Sequence, residues 1–319
     1  MPKSLTKSAE SNVAIAPQSN NISQVFTLRT RVGQFCCFVA ILLLAFSREL
    51  VALFRHVSNN NLHSYIVLVP FVVGYLIYTR RDALPQTCHR SYYPAVAPFL
   101  IGLAALTGTW LVPSVSVNDH LTMTTLAFVC FLVTSGFFFL GREWMRALAF
   151  PFFFLIFLVP MPDAMADMLE TGSKLASTEA ANLFFDATGT PILRDGTVFQ
   201  LPNIAIEVGQ ECSGIRSSWV LLITSLLAAN LFLRSNWRRA LLVGFVIPLG
   251  ILRNGFRIWT IGTLCMRIGP QMIHSIIHRR GGPFFFSLSL IPLFLLLWWL
   301  RRGEITGSTF RKGQSAPSP

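Results

Sequence analysis

Charge is scarce in this sequence: 13% of its 319 residues are Asp, Glu, Lys or Arg, and 14 acidic residues face 26 basic ones for a net +12. A chain so poor in charge cannot clothe a large soluble domain, which excludes an ordinary water-soluble globule. Cysteine is sparse and badly placed for metals. Cys36, Cys37, Cys88, Cys130, Cys212 and Cys265 form no Cys-x-x-Cys pair and no Cys/His spacing suited to zinc, so neither a metal nor a cofactor is expected. There is also no internal repeat and no second domain. In a soluble protein the basic excess would suggest nucleic acid. Basic residues flanking membrane spans produce the same excess, and no nucleic-acid partner is expected here.

What the sequence does contain is apolar length. Hydrophobic residues make up 53% and mean hydropathy is +0.56. They gather into blocks at 32–54, 64–78, 94–112, 121–140, 145–161, 214–233, 239–258 and 283–300. Blocks of about 20 apolar residues are the length that crosses a bilayer. The pattern predicts an all-α polytopic membrane protein with about eight transmembrane helices, a membrane domain over 32–302. Residues 1–31 and 303–319 are polar and read as disordered tails, and the first of them is not expected to be a cleavable signal peptide. Arg80 and Arg81, Arg142 and Arg146, Arg234, Arg238 and Arg239, and Arg301 and Arg302 follow alternate blocks, which together with the basic N-terminal segment puts both termini in the cytoplasm. Arg55, Arg194, Arg216, Arg267, Arg279 and Arg280 fall on the opposite side and weaken that rule without reversing it.

The longest joint, 162–213, is then extracytoplasmic. Met165, Met168, Leu169, Leu175, Ala176, Leu183 and Phe184 recur at helical spacing among charged residues, predicting an amphipathic helix at the membrane surface. After it, Asp195-Gly196 lies between two short strand-like runs, the mark of a small β-hairpin, and 204–208 can add a third strand.

At the end of this loop stands Cys212, at or just before the N-terminus of the sixth block. A helix N-terminus and a nearby arginine both favour thiolate over thiol, and the thiolate is the nucleophile. Glu211 precedes it; Ser213 adds a hydroxyl, and Gly214 allows backbone or substrate to come close. Arg253 and Arg257, with Asn254 between them, lie toward the outer end of the seventh block, four residues apart and so on one helical face. Arginine at that depth marks a site or an ion pair, and Glu207 and Glu211 are the available partners. His274 and His278 precede the eighth block on the same side. An imidazole there can take a proton from a thiol and return it to a leaving amine.

These residues resemble the exosortase/archaeosortase family of membrane cysteine transpeptidases over about 60–290. The resemblance rests on His63 with Leu-Val-Pro at 68–70, Gly-Thr-Pro-Ile-Leu-Arg-Asp-Gly at 189–196, Glu-Cys-Ser-Gly-Ile at 211–215, Asn254-Gly-Phe-Arg257-Ile, and His278 four residues before Gly282. It implies that Cys212 is the nucleophile, Arg257 the stabiliser of the oxyanion or thiolate, and His278 the acid/base. Glu211, Ser213, Gly214, Asn254, Arg253, Gly282 and His63 would support them. The implied partners are exported proteins with a C-terminal sorting signal of the PEP-CTERM type, composed of a short motif, a membrane helix and a basic tail. Membrane lipid and an acyl acceptor of unknown identity complete the set, and the implied setting is a bacterial inner membrane. Arg253, the Arg279-Arg280 pair and Pro283 depart from the family pattern, and His274 is a second candidate base. Two other readings stay open: a transporter or export-channel component whose pathway is lined by Arg253 and Arg257, and a Cys212–Cys265 disulfide.

Overall fold

A computed structural model describes residues 18–59, 61–88, 90–111, 116–201, 204–209, 214–269, 271 and 276–313, with backbone only at 18–27, 59, 61, 204, 276–281 and 305–313. Helices dominate: α1 (Gln18–Ala45), α2 (Ser47–Asn59), α3 (Val69–Arg80), α4 (Tyr93–Leu111), α5 (Val117–Ser135), α6 (Gly141–Ala147), α7 (Ala149–Phe154), α8 (Asp163–Ala187), α9 (Ile215–Phe232), α10 (Asn236–Gly244), α11 (Val246–Arg267) and α12 (Ile276–Gly313). Among the described residues seven helical stretches are long and apolar enough to cross a membrane. The number rises to eight if Ala149–Leu158 and Asp163–Ala187 are counted as one broken span. The chain is an all-α polytopic membrane protein with one small sheet.

Some boundaries differ from the sequence expectation. Helix α1 begins at Gln18, inside the segment expected to be a disordered tail, and α12 runs on to Gly313. Residues 145–161, expected as a full span, hold only Ala149–Leu158 of span-forming helix, about half a bilayer at 1.5 Å per residue. The helix before it is correspondingly longer, because α5 and α6 join through a π-helical turn at Gly136–Leu140 into one stretch, Val117–Ala147. An apolar run shows that helix is favoured, but not where a wide turn lets it continue.

Two compact units divide the chain. One comprises Met1–Ala52, Leu68–Val115 and Met123–Val159. Within it, α4 and α5 approach closely at Gly102, where an added Cβ would lie 3.0 Å from Cys130 Cβ. The second comprises Leu53–Val67, Ser116–Thr122 and Pro160–Pro319, and holds every residue singled out for chemistry.

Among the described residues the second unit shows two apolar cores. Leu221, Ala229, Leu242, Leu249, Leu293 and Leu297 join α9, α10, α11 and α12. Ala181, Phe185, Phe199, Leu201, Val208 and Ile258 join α8, α11 and the sheet. The sheet is antiparallel, ordered β1 (Leu193–Asp195), β2 (Val198–Leu201), β3 (Ile204–Glu207), with the hairpin turn after Asp195 and the third strand where the sequence placed them. Arg194 clamps it to α8 by donating to both carboxylate oxygens of Glu179, at 2.9 and 2.6 Å.

Helix α8 is not simply laid on the membrane surface: its small residues pack against α11. A Cβ at Gly255 would lie 2.6 Å from Ala180 Cβ and 2.9 Å from the Ala181 backbone nitrogen, so the two helices touch nearly backbone to backbone. Gly255→Ala is therefore expected to destabilise the protein. The gain in helix propensity is at most about 1 kcal/mol, whereas overpacking a close seam costs about 1–3 kcal/mol. Gly172→Ala on the exposed face of α8, with nothing within 4 Å, is expected to be neutral or stabilising. Thermal unfolding in detergent compares the two.

Candidate active site

The site is built around the turn that opens α9. Gly214 sits there at φ +69°, ψ 5°, a left-handed conformation that costs other residues about 1–2 kcal/mol. Space is the second constraint. A Cβ at Gly214 would lie 2.8 Å from both Cγ and Oδ1 of Asn254 and 3.2 Å from Arg253 Nη2. Arg253 Nη2 donates to the Gly214 carbonyl and to Ser218 Oγ, each at 3.1 Å. Both α11 residues are buried, Arg253 at 7% exposure and Asn254 at 2%. Helix α11 comes close enough for this because a Cβ at Gly250 would lie 2.7 Å from Ser218 Oγ.

The structure thus brings Gly214, Arg253 and Asn254 together, two residues along the chain from Cys212. Ser218 was missed by sequence reasoning, although one signal was present: it lies four residues after Gly214, on the same helical face. Arg257 follows Arg253 by one turn of α11 and is half-buried. Glu211, Cys212, Ser213 and His274 lie outside the described residues, as does the side chain of His278, whose backbone is in the first turn of α12. Gly282 is half-buried on α12, and a Cβ there would meet nothing within 4 Å among the described residues.

His63 is placed elsewhere in the unit, at 2% exposure, where its Nε2 accepts from the Met161 backbone N–H at 3.2 Å. The proton of the neutral ring is then on Nδ1. Asn118 Nδ2 donates to the Met161 carbonyl and to Asp163 Oδ1, both at 2.8 Å. Thr122 Oγ1 donates to the Pro160 carbonyl at 3.2 Å, and the Asp163 N–H to Asp119 Oδ1 at 2.9 Å. These bonds pin the corner where the chain turns into α8, so the visible work of His63 is structural. Removing it orphans a buried N–H, a loss of about 1–3 kcal/mol before any cavity is counted. His63→Ala is expected to lower the unfolding midpoint and His63→Gln, which keeps an acceptor, to recover part of it.

Cys36, Cys37, Cys88 and Cys265 make poor nucleophiles. Cys36 and Cys37 lie on the exposed side of α1 in the middle of a span. Burial pushes the Cys88 thiol up in pKa, against a smaller opposing effect of Arg31. Cys265, considered above for a disulfide, is buried in α11 and stands as a thiol.

With this geometry in hand, the family comparison is decisive. The model of the transmembrane exosortases matches residues 57–295, three quarters of the chain. The chain belongs to that family. The match spans the Cys212, Arg253–Arg257 and His278 segments and leaves out both terminal stretches. No curated protein and no solved structure matches the chain. Membership of the exosortases supports, in general terms, a role in processing the sorting signals of exported proteins.

Proposed function

We propose that this exosortase-family protein is a membrane cysteine transpeptidase that cleaves C-terminal sorting signals of the PEP-CTERM type at the outer face of a bacterial inner membrane. The observation that carries the proposal is the contact of Arg253 and Asn254 with Gly214, which joins the turn after Cys212 to the basic face of α11. Cys212 attacks the scissile carbonyl as a thiolate. Arg257 stabilises the thiolate or the oxyanion, and His278 takes the thiol proton and delivers it to the leaving amine. The resulting thioester passes to an amine, a hydroxyl or water. The alternation of arginines along the chain supports cytoplasmic termini and an extracytoplasmic site.

A reporter ending in a short motif, a membrane helix and a basic tail tests this. Co-expression with the protein should shorten the reporter by its tail, and His278→Ala should slow that step by about 10²–10⁴-fold, the usual contribution of a general acid/base. A transporter would leave every candidate reporter at full length.

A further inference from the structure

Among the described residues, Arg253 is the arginine whose guanidinium bonds to the Gly214 turn. Its Nη2 is committed to Gly214 O and Ser218 Oγ, both at 3.1 Å, which fixes the plane of the group. Its Nη1 is buried with no hydrogen-bond partner among the described residues, while the residue as a whole is 7% exposed. A donor on a fixed cation, withdrawn from water and left over after its neighbour is satisfied, is arranged to receive an anion. Chain length says where that anion arises. Two residues span at most about 7 Å, so Cys212 is tethered within that distance of Gly214, the residue Arg253 holds.

We propose that Arg253 is a second catalytic guanidinium, whose Nη1 donates to the scissile carbonyl oxygen as it gains charge. The proposal rests on Cys212 being the nucleophile. As the Cys212 sulfur bonds to the carbonyl carbon, the π pair moves onto oxygen, and that oxyanion accepts from Nη1. When the pair returns, the C–N bond breaks, and the amine leaves with the proton that His278 took from the thiol. Arg253 gains and loses no proton. Ser218 acts as a positioning residue, holding Nη2 so that Nη1 is aimed.

The experiment compares two rates in purified full-length protein: reporter cleavage and alkylation of Cys212 by iodoacetamide, in wild type, Arg253→Met, Arg253→Lys and Ser218→Ala. Arg253→Met should lower kcat by about 10²–10³-fold, the loss typical of an oxyanion donor, with alkylation within about threefold of wild type. Arg253→Lys should recover at least tenfold of that loss. Ser218→Ala, which keeps the cation, should lower kcat severalfold at unchanged KM, and it provides a readout if Arg253→Met does not fold. Cleavage by Arg253→Met within threefold of wild type would overturn the proposal. So would alkylation and cleavage falling together, which would mean that Arg253 only shapes the turn. Loss of the underlying enzyme reading shows separately, as cleavage that survives Cys212→Ala.

Discussion

Cys212→Ala is expected to reduce reporter cleavage by at least about 10³-fold while leaving membrane insertion and the unfolding midpoint unchanged. The size follows from covalent catalysis: without the sulfur there is no thioester, and the oxyanion donors can assist only the much slower attack of water. The specificity follows from the surroundings of the other cysteines. Cys88 is buried with its thiol pushed up, Cys265 is buried in α11, and Cys36 and Cys37 lie in the middle of a span. Changing each of these to alanine should leave cleavage within a few-fold, although Cys265, at 0% exposure, should lose stability. Cleavage rates and thermal unfolding of the set separate the two effects.

Gly214→Ala is expected to cost both stability and rate, because here structure and chemistry fail together. The left-handed conformation costs about 1–2 kcal/mol for a residue with a Cβ, and forcing that Cβ to within 2.8 Å of Asn254 adds about 1–3 kcal/mol. Asn254 and Arg253 must move to make room. A displacement of about 1 Å at a reacting centre costs about 10²-fold in rate, so cleavage should fall by that factor beyond any loss of folded protein. Gly189→Ala is the control, because Gly189 has φ +62° but nothing within 4 Å. It should pay the backbone cost alone and keep wild-type kcat.

Much of this architecture was legible in the sequence because membranes impose it. Apolar runs must become helices in lipid, and Asp195-Gly196 between short strand-like runs left the chain little choice but to turn back. The limits were equally physical. Hydropathy could not show that α5 and α6 join through Gly136–Leu140, since a π turn leaves no mark in composition. Nor could it show what fixes the corner at Pro160–Asp163 before α8, because the residues bonded to it, Thr122, Asn118 and His63, are distant in sequence. Cys-Ser-Gly and Arg-Asn-Gly-Phe-Arg were visible as segments on one expected face of the membrane, but the contact of Arg253 and Asn254 with Gly214 was not. What the sequence could not rank was the two arginines. The family resemblance favours Arg257, whereas the hydrogen bonds to the turn are made by Arg253. Choosing between them requires knowing which helical turn of α11 faces α9, and both lie on one face.

The most direct test is to locate the covalent intermediate. Wild-type protein turning over a tailed reporter should be quenched in acid, digested and read by mass spectrometry, with and without hydroxylamine. A reporter fragment on the peptide that contains Cys212, released by hydroxylamine as a thioester must be, is the predicted result. Cleavage proceeding with no such adduct, or with the fragment on another residue, would contradict it.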